Sequence, residues 1–245
     1  MLISGFHAVT ARLKRGAEGI VELYVAQQRG DARARDLLAL ARSMGVQAHA
    51  VDMGRIDKLC PDKRHQGVVL RAESAPALAA DLESVLEAHP KPFLLLLDGV
   101  TDPRNLGACL RVADGAGVHA VIAPKDHACP LTEVAIQTAS GAADSVPYLM
   151  VTNLSRTIET LQEQQVFVIG AADETDQTLY QVSLPESVAW VLGAEGKGLR
   201  RLTRERCDAL VSIPMAGQVS SLNVSVATGI VLYETVRQRK YAARR

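Results

Sequence analysis

The sequence predicts an α/β fold, a doubly wound parallel sheet preceded by a smaller α/β unit, and three observations carry that expectation. First, the run FLLLLDG beginning at Phe93 is continuously apolar until Asp98-Gly99, as in a strand buried on both faces of a parallel sheet. Second, further short apolar runs follow it, with helix-forming segments between most of them. Third, residues 1–72 alternate brief β-type runs with helical ones, the pattern of a small α/β unit.

Taken in order, the first unit reads as a helix at 7–14, a strand at 20–26, a helix at 31–44, a strand at 47–52, a short helix at 55–59 and a strand at 68–71. His65-Gln66-Gly67 precedes the last strand, where a polar loop suits either a plain turn or contact with RNA. Residues 73–91, an Ala, Asp and Glu-rich helix between Pro76 and Pro90, read as a linker, which sets the expected domains at 1–72 and 92–245. In the second domain, strands are expected at 93–98, 119–123, 146–151, 166–171, 188–192 and 209–213, with helices at about 103–115, 131–142, 153–164, 199–206 and 221–239. Ligands of such sheets sit beyond the C-terminal strand ends.

With 245 residues and 48% hydrophobic content, the chain can bury a sizeable core. Its longest apolar run, 93–97, is far short of the roughly 20 residues that a membrane span needs, and the N-terminus has no signal-peptide core. A cytoplasmic protein without membrane association is therefore expected. Cys60, Cys109, Cys129 and Cys207 form no CxxC pair, so they read as buried small apolar residues rather than as a disulfide framework or metal site. Net charge is zero, which argues against indiscriminate nucleic-acid binding, yet its distribution is uneven. Residues 1–72 carry 12 basic and 7 acidic side chains, and the remainder 15 and 20, so the first unit suits a polyanion. Lys197, Arg200, Arg201, Arg204 and Arg206 crowd one segment; Arg237, Arg239, Lys240, Arg244 and Arg245 crowd the C-terminus and read as a solvated helix face.

Chemistry is expected in two loops. Val191 and Leu192 end one apolar run, and Gly193-Ala194-Glu195-Gly196-Lys197-Gly198 follows, where glycines allow backbone to approach a ligand closely. Val211 to Ile213 form another run that Pro214 stops, and the stretch from Met215 to Asn223 sets hydroxyls and an amide before a long apolar helix. A third segment, Asp102 to Arg111, has the grammar of a helix start, with Asp102 as cap and Pro103 at the first helical position. Arg111 lies six residues after Asn105, about 240° around the helix, so spacing alone does not join them. Gly107 and Ala108 leave the face of Arg111 uncluttered, which suits an Arg aimed at the active end of the sheet as well as a surface ion pair. The familiar alternatives fail: no GxGxxG follows the first strand of the domain, GAEGKG lacks the P-loop spacing and its Ser or Thr, and no GxSxG elbow appears.

Together, DPRNLGACLR (102–111), VLGAEGKGL (191–199) and IPMAGQVSSLNVSVA (213–227) resemble the three ordered motifs of the SpoU/TrmH family of RNA ribose 2′-O-methyltransferases. The likeness spans the whole chain, since residues 1–72 resemble the family's L30e-like RNA-binding extension, and it is strongest to bacterial members that methylate a guanosine of the peptidyl-transferase P-loop in 23S rRNA. It implies methyl transfer from S-adenosylmethionine to a ribose 2′-hydroxyl by a homodimer whose C-terminal segment is threaded as a trefoil knot, without a metal. It also implies that backbone around Gly193, Ile213 and Leu222 holds the cofactor and that Asn105, Arg111, Glu195, Ser221 and Asn223 form the catalytic set.

Chemically, a guanidinium resists deprotonation, so Arg111 suits a clamp on RNA phosphate and a stabiliser of the developing alkoxide better than a base. Glu195 is expected to accept a hydrogen bond from Arg111 or Asn105, and Ser221 and Asn223 to cap the following helix as well as serve the site. The other readings are the same chemistry on tRNA or another rRNA site, a non-catalytic RNA-binding or ribosome-assembly module, and an oxidoreductase disfavoured by the missing fingerprint.

Overall fold

Leu2–Ser4 form a three-residue strand, β1, that pairs antiparallel with β4 (Val68–Ala72). The computed structural model describes residues 2–14, 16–61, 65–73, 81–173 and 175–241, which fall into two units, Met1–Leu78 and Ala79–Arg245. Residues 74–80 of the expected linker, Pro76 among them, and Arg244 and Arg245 lie outside the described residues.

In the first unit, α1 (Phe6–Lys14), β2 (Ile20–Ala26), α2 (Ala32–Ser43), β3 (Ala48–Val51) and α3 (Met53–Leu59) lie between β1 and β4. The sheet order is β1-β4-β2-β3, with β2 and β3 parallel and β4 antiparallel to its neighbours. Aspartates start two of the helices: Asp31 accepts the Ala34 amide and Asp52 the Arg55 amide, each at 3.0 Å. Val9, Leu13, Leu23, Leu37 and Leu70 fill the core. His65-Gln66-Gly67 is a turn: Gln66 and Gly67 both have positive φ, and the His65 ring accepts the Gly67 amide at 3.1 Å.

The second unit opens with α4 (Leu82–Ala88) and β5 (Phe93–Asp98). Then come α5 (Pro103–Ala116), β6 (Ala120–Pro124), α6 (Glu133–Ala139), β7 (Tyr148–Val151), α7 (Leu154–Glu163), β8 (Phe167–Ala171), β9 (Val188–Gly193), α8 (Arg201–Arg206), β10 (Ala209–Val211) and α9 (Val224–Tyr241). The sheet is wholly parallel, in the order β10-β8-β9-β5-β6-β7. Alternation along β5 explains its unbroken apolar run. Phe93, Leu95 and Leu97 join the core built with α5 and α9, and Leu94 and Leu96 join the opposite core with Val85, Ile158 and Leu161. From β5 the chain proceeds to β6 on one side, while from β9 it proceeds to β10 on the other. The adjacent C-terminal ends of β5 and β9 are therefore a switch point, where loops diverge and leave a crevice.

Several expected boundaries shift, three of them near the site or the helices that pack on it. The helix expected at 131–142 stops at Ala139, because Ser140 and Gly141 take left-handed φ of 53° and 96°, and a 3-10 turn at Ala142–Asp144 follows. The strand expected to reach residue 213 ends at Val211. The last helix begins at Val224 rather than 221, because Asn223 caps it: its Oδ1 accepts the Ser225 amide at 2.9 Å and the Ser225 hydroxyl at 2.6 Å. Gly107 also differs from its expected use. A Cβ there would meet Ala135 O at 2.5 Å, so the glycine admits α6 against α5 rather than clearing space for Arg111.

Candidate active site

The loop after β9 folds back on the strand that delivers it. Ala194 and Gly198 form a bridge, the Gly198 amide donates to Ala194 O at 2.9 Å, and Gly196 and Gly198 hold φ of 75° and 63°. A Cβ on Gly193 would lie 2.1 Å from the carbonyl carbon of Gly198, so only glycine fits there. This tight return forms one wall of a cavity of about 320 Å³ whose lining includes Gly193, Ile213, Met215, Ser221 and Leu222. The ends of β8, β9 and β10 contribute the rest of that wall.

A second cavity, of about 470 Å³, opens at the β5–β9 switch point and is lined by Asp98, Asp102, Asn105, His127, Glu195 and Arg200, among others. Ala194, Glu195, Lys197 and Gly198 line both cavities, so the glycine loop is the partition between them. Across it runs a hydrogen-bonded cluster. Asn223 Nδ2 donates to Asn105 Oδ1 at 3.0 Å and to Glu195 Oε2 at 3.4 Å. Because the Ser225 amide can only donate, Asn223 must present Oδ1 to it and NH₂ to the other two. That in turn points the Asn105 NH₂ away from Asn223, and among the described residues neither it nor Glu195 Oε1 has a hydrogen-bond partner.

The structure thus brings Asn105, Glu195 and Asn223 together and sets Gly193, Ile213, Ser221 and Leu222 around the adjoining cavity. Glu195 takes its hydrogen bond from Asn223, not from Arg111 or Asn105 as expected, and capping falls to Asn223 rather than Ser221. Arg111 is exposed on α5, outside the lining of either cavity, and has no partner among the described residues. It lies one helical turn before Gly115, where an added Cβ would meet the Tyr233 hydroxyl of α9 at 3.1 Å. Two residues at the site carried no expectation, Asp98 and Arg200. The Arg200 amide donates to Asp98 Oδ2 at 2.9 Å and its Nε to Oδ1. A charge closing an otherwise apolar strand was the available signal for Asp98. Of the C-terminal basic residues, Arg237, Arg239 and Lys240 are exposed, as a solvated face requires, while Arg237 also grips the buried Glu234 with two bonds of 2.7 Å and Arg239 also lies over the Phe93 ring.

The SpoU rRNA Methylase family profile matches residues 92–233, and the RNA 2′-O ribose methyltransferase substrate binding profile matches residues 2–77. The chain belongs to the SpoU rRNA methylase family. It is 55% identical over 239 residues to the 23S rRNA (guanosine-2′-O-)-methyltransferase RlmB of Ralstonia nicotianae, covering 97% of this chain and 96% of that protein. It is 51% identical to the protein of the same name from Salmonella typhimurium, covering 97% and 98% of the two chains. The SpoU methyltransferase AviRb from Streptomyces viridochromogenes, solved in complex with the cofactor AdoMet, superposes with a TM-score of 0.73 at 26% identity, over 98% of this chain and 91% of that one.

Four features fit S-adenosylmethionine to the first cavity of this SpoU methylase. Gly193 lets main chain come close, Leu199, Ile213 and Leu222 give an apolar wall for an adenine, and Asp173 and Glu195 supply acidic groups beside a cation. Its volume, about 320 Å³, lies at the small end of ligand pockets. Among the described residues no cluster of His, Cys, Asp and Glu is arranged to hold a metal ion.

Proposed function

We propose that this chain methylates the ribose 2′-hydroxyl of a guanosine in 23S rRNA, in the peptidyl-transferase P-loop, with S-adenosylmethionine as donor, and acts in the cytoplasm during ribosome maturation. The observation that carries this reading is the Asn223–Asn105–Glu195 cluster on the partition between a cofactor-sized cavity and a polar one. The substrate is assigned from the activity of the relatives and their near-complete overlap with this chain.

When bound, the cofactor would supply an activated methyl on a sulfonium. Gly193, Ile213 and Leu222 hold it by backbone and apolar contact. Asn223 fixes the orientation of its two neighbours, the Asn105 amide donates to the incoming ribose, and Glu195 Oε1 is the carboxylate oxygen left to accept the hydroxyl proton. Ser221 borders the cofactor cavity, where its hydroxyl would be free to hydrogen-bond the cofactor. Arg111 clamps an RNA phosphate and screens the developing alkoxide.

That role for Arg111 is completed in a homodimer. On α9, Val226, Gly229, Ile230 and Tyr233 follow one helical stripe, with Val226 and Tyr233 about half exposed at 51% and 52%, and α5 meets it through Val112 and Gly115, the residues one and four positions after Arg111. The first unit, L30e-like in this reading, supplies RNA binding through its basic excess. The test is transfer of labelled methyl from S-adenosylmethionine to unmethylated 23S rRNA, with mapping of the 2′-O-methyl stop. A single stop at the P-loop guanosine is expected; a stop elsewhere, or on tRNA alone, overturns the substrate, and no transfer to any RNA overturns the activity.

A further inference from the structure

Asp98 ends β5 with its side chain wholly buried, a position in which a carboxylate requires partners. Both hydrogen bonds it accepts come from Arg200, through the backbone amide and Nε. Held by these two points, the guanidinium cannot swing freely, yet its terminal amino groups bond to nothing among the described residues and the side chain is 47% exposed. Arg200 lines the polar cavity that contains Asn105 and Glu195, and also a third cavity, of about 490 Å³, beside it. Only His127 is shared with it between those two linings, and His127 holds an unusual left-handed φ of 61°. An arginine fork is thus pinned where one cavity passes into the next, with Lys197, which has no ion pair among the described residues, in the same wall as Glu195.

We propose that Arg200 anchors the phosphodiester adjoining the target ribose, and that Asp98 is the positioning residue that aims it. The two free amino groups present parallel N–H donors that match two phosphate oxygens, a fit that a lysine point charge does not reproduce. Engagement through Nε leaves that fork whole. Buried and already paired, the carboxylate does not itself meet the RNA. The assignment rests on the RNA-methyltransferase reading above and adds a substrate contact to it.

The test uses the full chain and unmethylated 23S rRNA, comparing Arg200→Gln, Arg200→Lys and Asp98→Asn with wild type. Arg200→Gln is expected to lower the slope of log affinity against log salt by about 0.7 for a single-stranded contact. It should also raise KM for RNA by about ten-fold or more, with kcat at saturating RNA and cofactor affinity little changed. Arg200→Lys should keep the salt slope but raise KM, and so should Asp98→Asn, which frees the fork without removing its charge. An unchanged salt slope in an Arg200→Gln protein that still binds cofactor overturns the proposal. If that variant does not bind cofactor, a wild-type KM in Arg200→Lys does so instead. Wild type that transfers methyl to no RNA fells the activity and this contact together, whereas wild-type transfer with unaltered variants removes only Arg200.

Discussion

The two ends of the six-stranded sheet are built from similar residue types and end in opposite states. At the N-terminal end, the His89 and His119 rings stack with centroids 3.8 Å apart, and His119 Nδ1 accepts the Phe93 amide at 3.1 Å. Arg239 covers the Phe93 ring and donates to the carbonyls of Pro92 and Glu186, and Lys91 pairs with the Glu186 carboxylate. There the polar groups turn toward one another and toward main chain where the strands begin. At the C-terminal end, Asn223 fixes Asn105 and Glu195, and Asp98 fixes Arg200, but each fixed group keeps a donor or acceptor unused among the described residues. Polar groups that satisfy one another stabilise a fold; polar groups held rigid with valence to spare can bind and react.

If that contrast is right, the largest effect comes from removing unused valence without disturbing the fold. Glu195→Gln keeps the shape and an acceptor for Asn223 but loses the carboxylate. Methyl transfer is expected to fall by about 10²-fold or more, a larger loss than any in cofactor affinity, since Asp173 still faces the cofactor cavity. Because Glu195 is exposed, the melting temperature should move by no more than about 2 °C. Labelled-methyl transfer beside a thermal melt reads both; retention of most of the turnover would take Glu195 out of proton transfer.

A smaller loss is expected from Gly193→Ala. Its Cβ would sit 2.1 and 2.2 Å from the Gly198 carbonyl, so backbone rather than a yielding side chain has to move, and the wall of the cofactor cavity moves with it. Cofactor affinity should weaken by about 10- to 100-fold, the scale of a strained backbone of about 1–3 kcal/mol. Calorimetric titration with S-adenosylmethionine checks it, and unaltered affinity would show that the loop return has no part in binding.

The contrast between the ends also marks what the sequence could show. Continuous apolar runs made β5 and β9 legible, and Asp102-Pro103 made the start of α5 legible, because such signals lie within a few residues of each other. β1, with three residues and no alternation to display, left no such signal. Motif order pointed to Asn105, Glu195 and Asn223, but their connection did not show. The Asn105–Asn223 bond spans 118 positions and the Asp98–Arg200 pair spans 102, and the parallel sheet that brings them together has an order no local periodicity encodes. Arg111 illustrates the converse: its helix was legible, and the face it occupies depends on how α6 and α9 pack against α5, which leaves it exposed beside Gly115.

The smallest expected effect belongs to the closed end and concerns stability alone. Burial, with the nearby His89 and Arg239 charges, holds the His119 imidazole down to about 4 from 6.5, and its Nδ1 can accept the Phe93 amide only while unprotonated. Between those values the unfolded chain takes up a proton that the folded one refuses, so stability falls as pH drops through 6.5 and stops falling from this source below about 4. Partial solvent access limits the loss to about 2 kcal/mol by pH 4. His119→Asn keeps an acceptor without the titration, so urea unfolding at pH 7.5 and 4.5 should show a smaller pH-dependent loss in the variant. Methyl transfer at pH 7.5 should be unchanged, since His119 lies at the opposite end of the strands from Asn105 and Glu195. An equal loss in both proteins would mean that the stacked histidines are not what acid disturbs there, and lost transfer would mean that the two ends are coupled through β5.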